Sequence, residues 1–561
     1  MLIGCAGADT GLPPATHDPQ FDWFSYEGRD AVHDETAAKA NEYRNPILQG
    51  FYPDPSVTRV GSDFYLVNST FAYYPGIPVH HSTDLVHWRL IGHVIDRPSQ
   101  LSFDSIGVSR GVFAPTISHH KGTYYVLNTC VDCGGNFLVT ASKPSGPWSD
   151  PIWLRDIDGI DPALFFDEDG RAYLLNNGPP VGTPLYEGHR AIWMQEFDLA
   201  TNQPVGKRTV LVNGGVDLST KPIWIEGPHI FRKDGWYYLS AAEGGTAEGH
   251  SQVILRSKDV WGPYVPYAGN PILTQRDLHS DRPHPVTSAG HAELVETPSG
   301  EWWATFLATR PYEGDYYNTG RETFLLPVTW KDGWPVILAP QTAIPMVHAR
   351  PSLTPDTTGG FVPSGNYTSR DEFTDSTLAG TWMRLRTPRS TWHDLTSAPG
   401  WLTLRARSAS IATLSQPIFL AQRQQHATAT VQARMRYRPT SDGDKAGLVA
   451  FQNEKFYCAI ISTRVDGRSV LRLEARTAAD SAVRVLATRS LEASKADDLI
   501  LRIDARGALY DFAFAYSANT KGDTVTWTTL IANVDGRALS TRSAGGFVGA
   551  VFGMYAYTAT P

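Results

Sequence analysis

Long apolar runs, blocks of like charge and cysteine are what this 561-residue chain has least of. No stretch approaches the roughly 18 consecutive apolar residues that a bilayer-crossing helix needs, so no membrane span is expected. Acidic side chains outnumber basic ones, 57 to 49, and neither gathers into runs; the electrostatic footprint of a nucleic-acid partner is missing. Four cysteines are too few and too unevenly spaced for a disulfide framework. Cys130-x-x-Cys133 has no second pair to complete a zinc site and reads as a structural pair, a local disulfide being one form of it.

What is present points to strands. Forty-nine glycines, 39 prolines, 11% aromatic residues and 16 tryptophans suit many short strands joined by turns, which makes the chain all-β. Sandwiches and barrels run large, so two domains fit the length better than three or four.

One pattern occurs five times before residue 340: a short strand, a charged turn containing glycine, then an aromatic-rich strand. Its second halves begin at Gly61, Gly122, Gly170, Gly235 and Gly300, 48 to 65 residues apart. Repeats of this length, each with several strands, bury their faces only against neighbours, and five of them predict a five-bladed β-propeller. The first halves begin at Asp54, Ala114, Asp161, Glu226 and His291. In a propeller the first strand of each blade lies nearest the axis, so these five positions converge at the mouth of the central channel, and three of them are carboxylates. A single Asp or Glu before Pro is an ordinary turn former. Three at one repeat position are costly to bring together, and folding alone does not favour them.

Carboxylates in unlike environments are what glycoside cleavage requires: one kept protonated for the leaving oxygen, one ionised to activate water or attack the sugar, and a third charge able to raise the acid's pKa. The segments Tyr52-Pro53-Asp54-Pro55, Phe113-Ala114-Pro115, Ile160-Asp161-Pro162, Ile225-Glu226-Gly227-Pro228-His229 and Gly320-Arg321-Glu322-Thr323 together resemble glycoside hydrolase family 43, the exo-acting xylosidases and arabinofuranosidases. The resemblance implies an inverting hydrolase that releases terminal β-D-xylose or α-L-arabinofuranose from plant-wall oligosaccharides. It implies Asp54 as base, Glu226 as acid and Asp161 as the residue that orients Glu226 and raises its pKa. It further implies Arg321 as a holder of sugar hydroxyls and Phe71 and Phe113 as walls of the pocket, although many relatives carry tryptophan where Phe113 stands. Thr246 is a further sugar contact on the same ground. His291 resembles a family histidine that often holds calcium through water; the chemistry needs no cofactor, and one histidine is a poor set for an oxygen-seeking ion. Asp167-Glu168-Asp169-Gly170 looks metal-like but reads better as a hairpin turn.

After Pro340 the blade repeat stops and a Pro- and Thr-rich stretch follows. The expected organisation is an N-terminal segment over 1–42, a catalytic propeller over 43–345 and a concanavalin-like β-sandwich over 365–561. The sandwich is expected from alternating stretches such as 427–437 and 499–504. In the relatives that domain lends a phenylalanine to the site's rim, and Gly545-Gly546-Phe547 resembles the loop that does so. A free-standing carbohydrate-binding module is the competing view. Met1-Leu2-Ile3-Gly4-Cys5 resembles the end of a bacterial lipoprotein signal, which places the protein in the periplasm or cell envelope with Cys5 lipidated, and otherwise in the cytoplasm. Two rival functions stand beside the hydrolase: a retaining, fructan-cleaving glycosidase, whose Asn-Asp-Pro-Asn-type signature is absent, and a sugar-binding propeller without catalysis. Parent polymer and oligomeric state have no readable code.

Overall fold

The computed structural model describes residues 17–279, 281–358, 363–517 and 525–560; Cys5 lies outside them. Five antiparallel sheets follow one another in the chain and stand around an axis. Their first strands are Ser56–Val60, Thr116–His120, Ile160–Phe166, Glu226–Lys233 and Thr287–Glu296. Each packs against the next, and the fifth packs back on the first, so these are the innermost strands of a five-bladed propeller.

The repeat glycines sit in the hairpins that follow. All five have φ between 64° and 88°, and an added Cβ would meet almost nothing there. Conformation, not crowding, selects glycine at these turns. At Lys121-Gly122 and Asp234-Gly235 both residues have positive φ, as a tight type I′ hairpin requires.

A belt of polar contacts joins neighbouring blades around the axis. Ile117 N–H donates to Ser56 Oγ at 2.9 Å, Thr116 Oγ1 to Pro162 O at 2.8 Å, and Gly227 N–H to Asp161 Oδ2 at 3.0 Å. His229 Nδ1 then meets Glu293 Oε1 at 3.1 Å, and Val57 N–H donates to Glu293 Oε2 at 2.6 Å. The ends of the propeller are clasped by pairing of Glu42–Arg44 with Val347–Ala349 and by reciprocal bonds between Asn45 and Leu325.

The second domain is a sandwich of two eight-stranded sheets over one apolar core. The stretches with alternating character form the paired strands Thr428–Arg436 and Asp498–Arg506. Two of its strands come from elsewhere. Gln20–Gly28 pairs with Thr428–Arg436 on one side and Tyr367–Asp371 on the other, so residues 20–28 are not a segment apart from both domains, as expected, but sheet interior. A register shift between Phe21 and Trp23 breaks the period-two signal that would have marked the strand. Tyr73–Tyr74, from the first blade, forms the edge of the other sheet by pairing with Met383–Leu385.

The two domains therefore share sheet as well as surface. Phe51, Phe71, Tyr73 and Val108 pack with Phe419 and Val548 in one apolar cluster. Arg423 lays its guanidinium 4.1 Å from the centre of the Tyr52 ring and donates to Phe51 O at 2.8 Å. Cys130 and Cys133 are disulfide-bonded. Among the described residues no helix is long and apolar enough to cross a membrane.

Candidate active site

The inner strands begin irregularly. Pairing shifts register between Ile160 and Ala163, between Glu226 and His229, and between Gly290 and Glu293. Asp54, Asp161 and His291 have φ of 52°, 56° and 50°, and Gly227 has 57°. Left-handed backbone is uncommon for residues with a Cβ, and bulges of this kind re-aim side chains beside functional sites. Gly227 is constrained twice, because a Cβ there would come within 2.8 Å of His291 Nε2.

All three repeat carboxylates are buried and near enough to feel one another's charge. Asp54 accepts from Ser69 Oγ at 2.5 Å and from Arg321 Nη1 at 3.0 Å. Burial opposes its ionisation, but the Arg321 charge, the neighbouring His291 and the Ser69 hydroxyl together hold its carboxyl below the usual range. Glu226 goes the other way: burial first, then the charges of Asp161 and Asp54, push it well above the ordinary glutamate value against the pull of Arg321 and Arg190. Asp161 is raised to about 7 by burial and by Asp54, with the Gly227 N–H favouring its ionised form. One ring thus holds a carboxylate that stays ionised and, two blades away, a carboxyl that keeps its proton.

Arg321 does not pair with the adjacent Glu322, which Arg310 takes in a two-pronged bond of 2.6 and 2.9 Å. Its guanidinium lies 5.5 Å from the centre of the Phe547 ring, and its Nε is buried without a hydrogen-bond partner among the described residues. Phe547 arrives from the sandwich on the Gly545-Gly546 loop, whose backbone is fixed by donation from Phe547 N–H to Ser109 Oγ at 3.0 Å. It stacks on Phe71 at 5.9 Å and meets Phe113 edge-on at 5.5 Å. Phe113 and Phe547 are half-buried, whereas Phe71 is only 1% exposed and backs the other two rings. Thr246 lies half-buried in the loop between Trp236–Glu243 and Ser251–Ser257.

His291 stands next to Asp54, and burial depresses it to about 4, so it is neutral near pH 7. Among the described residues no group of three or more His, Cys, Asp or Glu side chains is placed to hold a metal ion. A lone imidazole beside Arg321 does not fit calcium, which takes six to eight oxygens, as a direct ligand set. The Asp167 turn is a hairpin whose carboxylate accepts from Tyr237 and Arg232.

Four contributors escaped the sequence reading. Ser69 reaches Asp54 from the end of the second strand of its blade. His250, its Nδ1 2.9 Å from Ser288 O, is likewise depressed to about 4 by burial. The His229–Glu293 pair closes the belt beneath the acids. Arg190 donates twice to Asn177 Oδ1, at 2.9 and 2.7 Å, on the side of Glu226. His229, in the motif with Glu226, and Glu293, two residues after His291, stood where the repeat could point to them; Ser69, His250 and Arg190 did not.

Residues 43–335 match glycosyl hydrolases family 43, and residues 370–561 match the β-xylosidase C-terminal concanavalin A-like domain. A "xylosidase/arabinosidase" of Butyrivibrio fibrisolvens is 37% identical over 91% of this chain and 95% of its own length. A non-reducing end α-L-arabinofuranosidase of Bacteroides ovatus is 36% identical over 92% of this chain and 91% of its own. A crystal structure of a GH43_12 protein retrieved from a capybara gut metagenome superposes with a TM-score of 0.88 at 38% identity, covering 97% of this chain and all of that one. With both segments matched and relatives aligned over nearly its full length, the chain belongs to family 43 of the glycosyl hydrolases and is a glycoside hydrolase.

Proposed function

We propose that the enzyme removes terminal, non-reducing pentose units from plant-wall oligosaccharides with inversion, Asp54 acting as base through water, Glu226 as acid and Asp161 as the residue that keeps Glu226 loaded. The observation that carries this reading is the opposite pull on the two outer members of the trio. Asp54, paired with Arg321 and Ser69, is ionised at neutral pH and can take a proton from water. Glu226, raised by burial and by its acidic neighbours, is protonated and can give its proton to the leaving oxygen as the glycosidic bond breaks. Water then attacks from the Asp54 side and the anomeric centre inverts.

The pocket supports an exo mode of action. Phe113, Phe547 and Arg321 wall its Asp54 side, and one of the three comes from the second domain. Arg321, already sharing one nitrogen with Asp54, has a planar fork suited to neighbouring sugar hydroxyls. The relatives' names point to β-D-xylopyranosides and α-L-arabinofuranosides as substrates. Both can present the same anomeric carbon and adjacent hydroxyls, and they differ where C5 lies inside or outside the ring. One small group of this kind separates substrates by about 1–3 kcal/mol, so activity on both is expected, with the xyloside preferred. NMR of the first sugar released from aryl β-D-xylopyranoside tests the mechanism: α-xylose appearing first is the expected result, and β-xylose would make Asp54 a nucleophile and overturn it.

A further inference from the structure

Of this chain's 16 tryptophans, Trp224 alone stands among the exposed large hydrophobic residues of the described structure, at 38%, and its neighbour Ile223 is 49% exposed. It stands two residues before Glu226. We propose that Trp224 and Ile223 form the platform for the sugar ring on the leaving-group side of the scissile bond, a subsite for the apolar face of a pyranose. The proposal rests on Glu226 being the acid.

Single exposed apolar side chains are normal on protein surfaces, and this one differs in how it is held. Trp224 has φ of 51°, a conformation that is strained for a bulky residue and persists only where surroundings enforce it. Here they do, residue by residue. Gly244 and Gly245 donate their N–H groups to Ile223 O at 2.8 and 3.2 Å, and Trp224 N–H donates to Gly188 O at 2.9 Å. Asn177 Nδ2 donates to Ile225 O at 2.6 Å. The same Asn177 receives both bonds from Arg190, whose guanidinium lies 4.8 Å from the centre of the indole. A tryptophan fixed in a strained conformation and kept partly in water is not explained by core packing.

Place and chemistry then select the occupant. The pocket for the released sugar is built around Asp54, Arg321, Phe113 and Phe547. The acid protonates the bridging oxygen, so the ring leaving with that oxygen lies next to Glu226, on the side away from those residues. Arg190, which lies against the indole, is close enough for its charge to act on Glu226, and the segment 223–225 runs directly into Glu226. An indole offers a flat apolar face to the C–H groups of a pyranose, and the neighbouring guanidinium offers donors to its hydroxyls.

The test uses the whole enzyme and two substrates with the same terminal pentose: a disaccharide, whose leaving sugar would cover the platform, and a pentosyl fluoride, whose leaving group would not. Trp224→Gly removes the ring while accepting the positive φ. The expected result is a fall of about ten-fold in the ratio of kcat/KM on the disaccharide to kcat/KM on the fluoride, expressed mainly in KM and largely restored in Trp224→Phe; ten-fold corresponds to about 1.4 kcal/mol. An unchanged ratio, or equal losses on both substrates, overturns the platform and leaves the assignment of Glu226 standing. A parent enzyme that cleaves neither substrate overturns the functional reading and the platform with it.

Discussion

Arg310→Met should destabilise the enzyme by about 3–5 kcal/mol at pH 7, the usual cost of leaving buried charge without its partner. Arg310 bonds Asp30 at 2.8 Å and Glu322 at 2.6 and 2.9 Å, and all three side chains are at most 10% exposed. The two carboxylates reach further, Asp30 to the N–H of Thr428 in the sandwich and Glu322 to that of Gly50, so the node joins the N-terminal segment, the fifth blade and the second domain. Methionine keeps much of the volume and removes the charge. The pH dependence follows from the two acids. Arg310 holds Asp30 below its ordinary value and opposes the burial that raises Glu322. Without it both folded-state pKa values rise above those of the unfolded chain, near 4. Such groups destabilise increasingly as pH climbs through the raised values and cease to do so below about pH 4, where both are neutral in either state. The parent behaves oppositely at Asp30, losing stability on acidification. The gap between parent and variant, read from urea unfolding midpoints, should therefore shrink from pH 7 to pH 5, and Glu322→Gln in the Arg310→Met background should recover part of the loss. A deficit below about 1 kcal/mol at pH 7, or one that widens on acidification, would refute the reasoning.

Glu226→Ala should lower kcat on natural disaccharides by about 10²–10⁴-fold and spare aryl glycosides with activated leaving groups, which need little protonation; comparable losses on both would remove Glu226 from the acid role. Asp161→Asn removes a charge that raises Glu226, so the basic limb of the rate profile should move to lower pH while the acidic limb, set by Asp54, stays in place. An unmoved basic limb would leave Asp161 a positioning residue only. Ending the chain near residue 345 unpairs Tyr73–Tyr74 and bares Phe51, Phe71 and Val108, so the isolated propeller should be insoluble or nearly inactive, and a soluble truncation with full activity would refute this.

What could be read from the residues alone was what repeats. A glycine with positive φ recurs at every first hairpin because the turn demands it, and that recurrence aligned Asp54, Asp161 and Glu226 before any geometry was known. Residues that act once leave no such trace. His250 reaches the site from a third strand and Ser69 from the end of a second, where blades share no pattern. Gln20–Gly28 lies more than 300 residues from its nearest partner strand, and its bulge hides the alternation. The strain at Trp224 is a property of three loops meeting, and a tryptophan before Ile225-Glu226 reads as one more aromatic among many.

Among the described residues, what the second domain brings to the site is the apolar ring of Phe547, yet the site cannot be described without it. Phe547 packs on the guanidinium of Arg321, and Arg321 in turn holds Asp54 at 3.0 Å. Were the sandwich a detachable sugar-binding module, the base would owe nothing to it. Here one ring from the sandwich closes the apolar wall against Phe113 and confines the guanidinium that keeps Asp54 ionised. Removing only that ring should therefore do more than weaken sugar binding: a freer, better-hydrated Arg321 pairs less firmly with Asp54, and the acidic limb of the rate profile moves to higher pH. Phe547→Ala separates the two roles, because a wall alone would raise KM and leave that limb where it was.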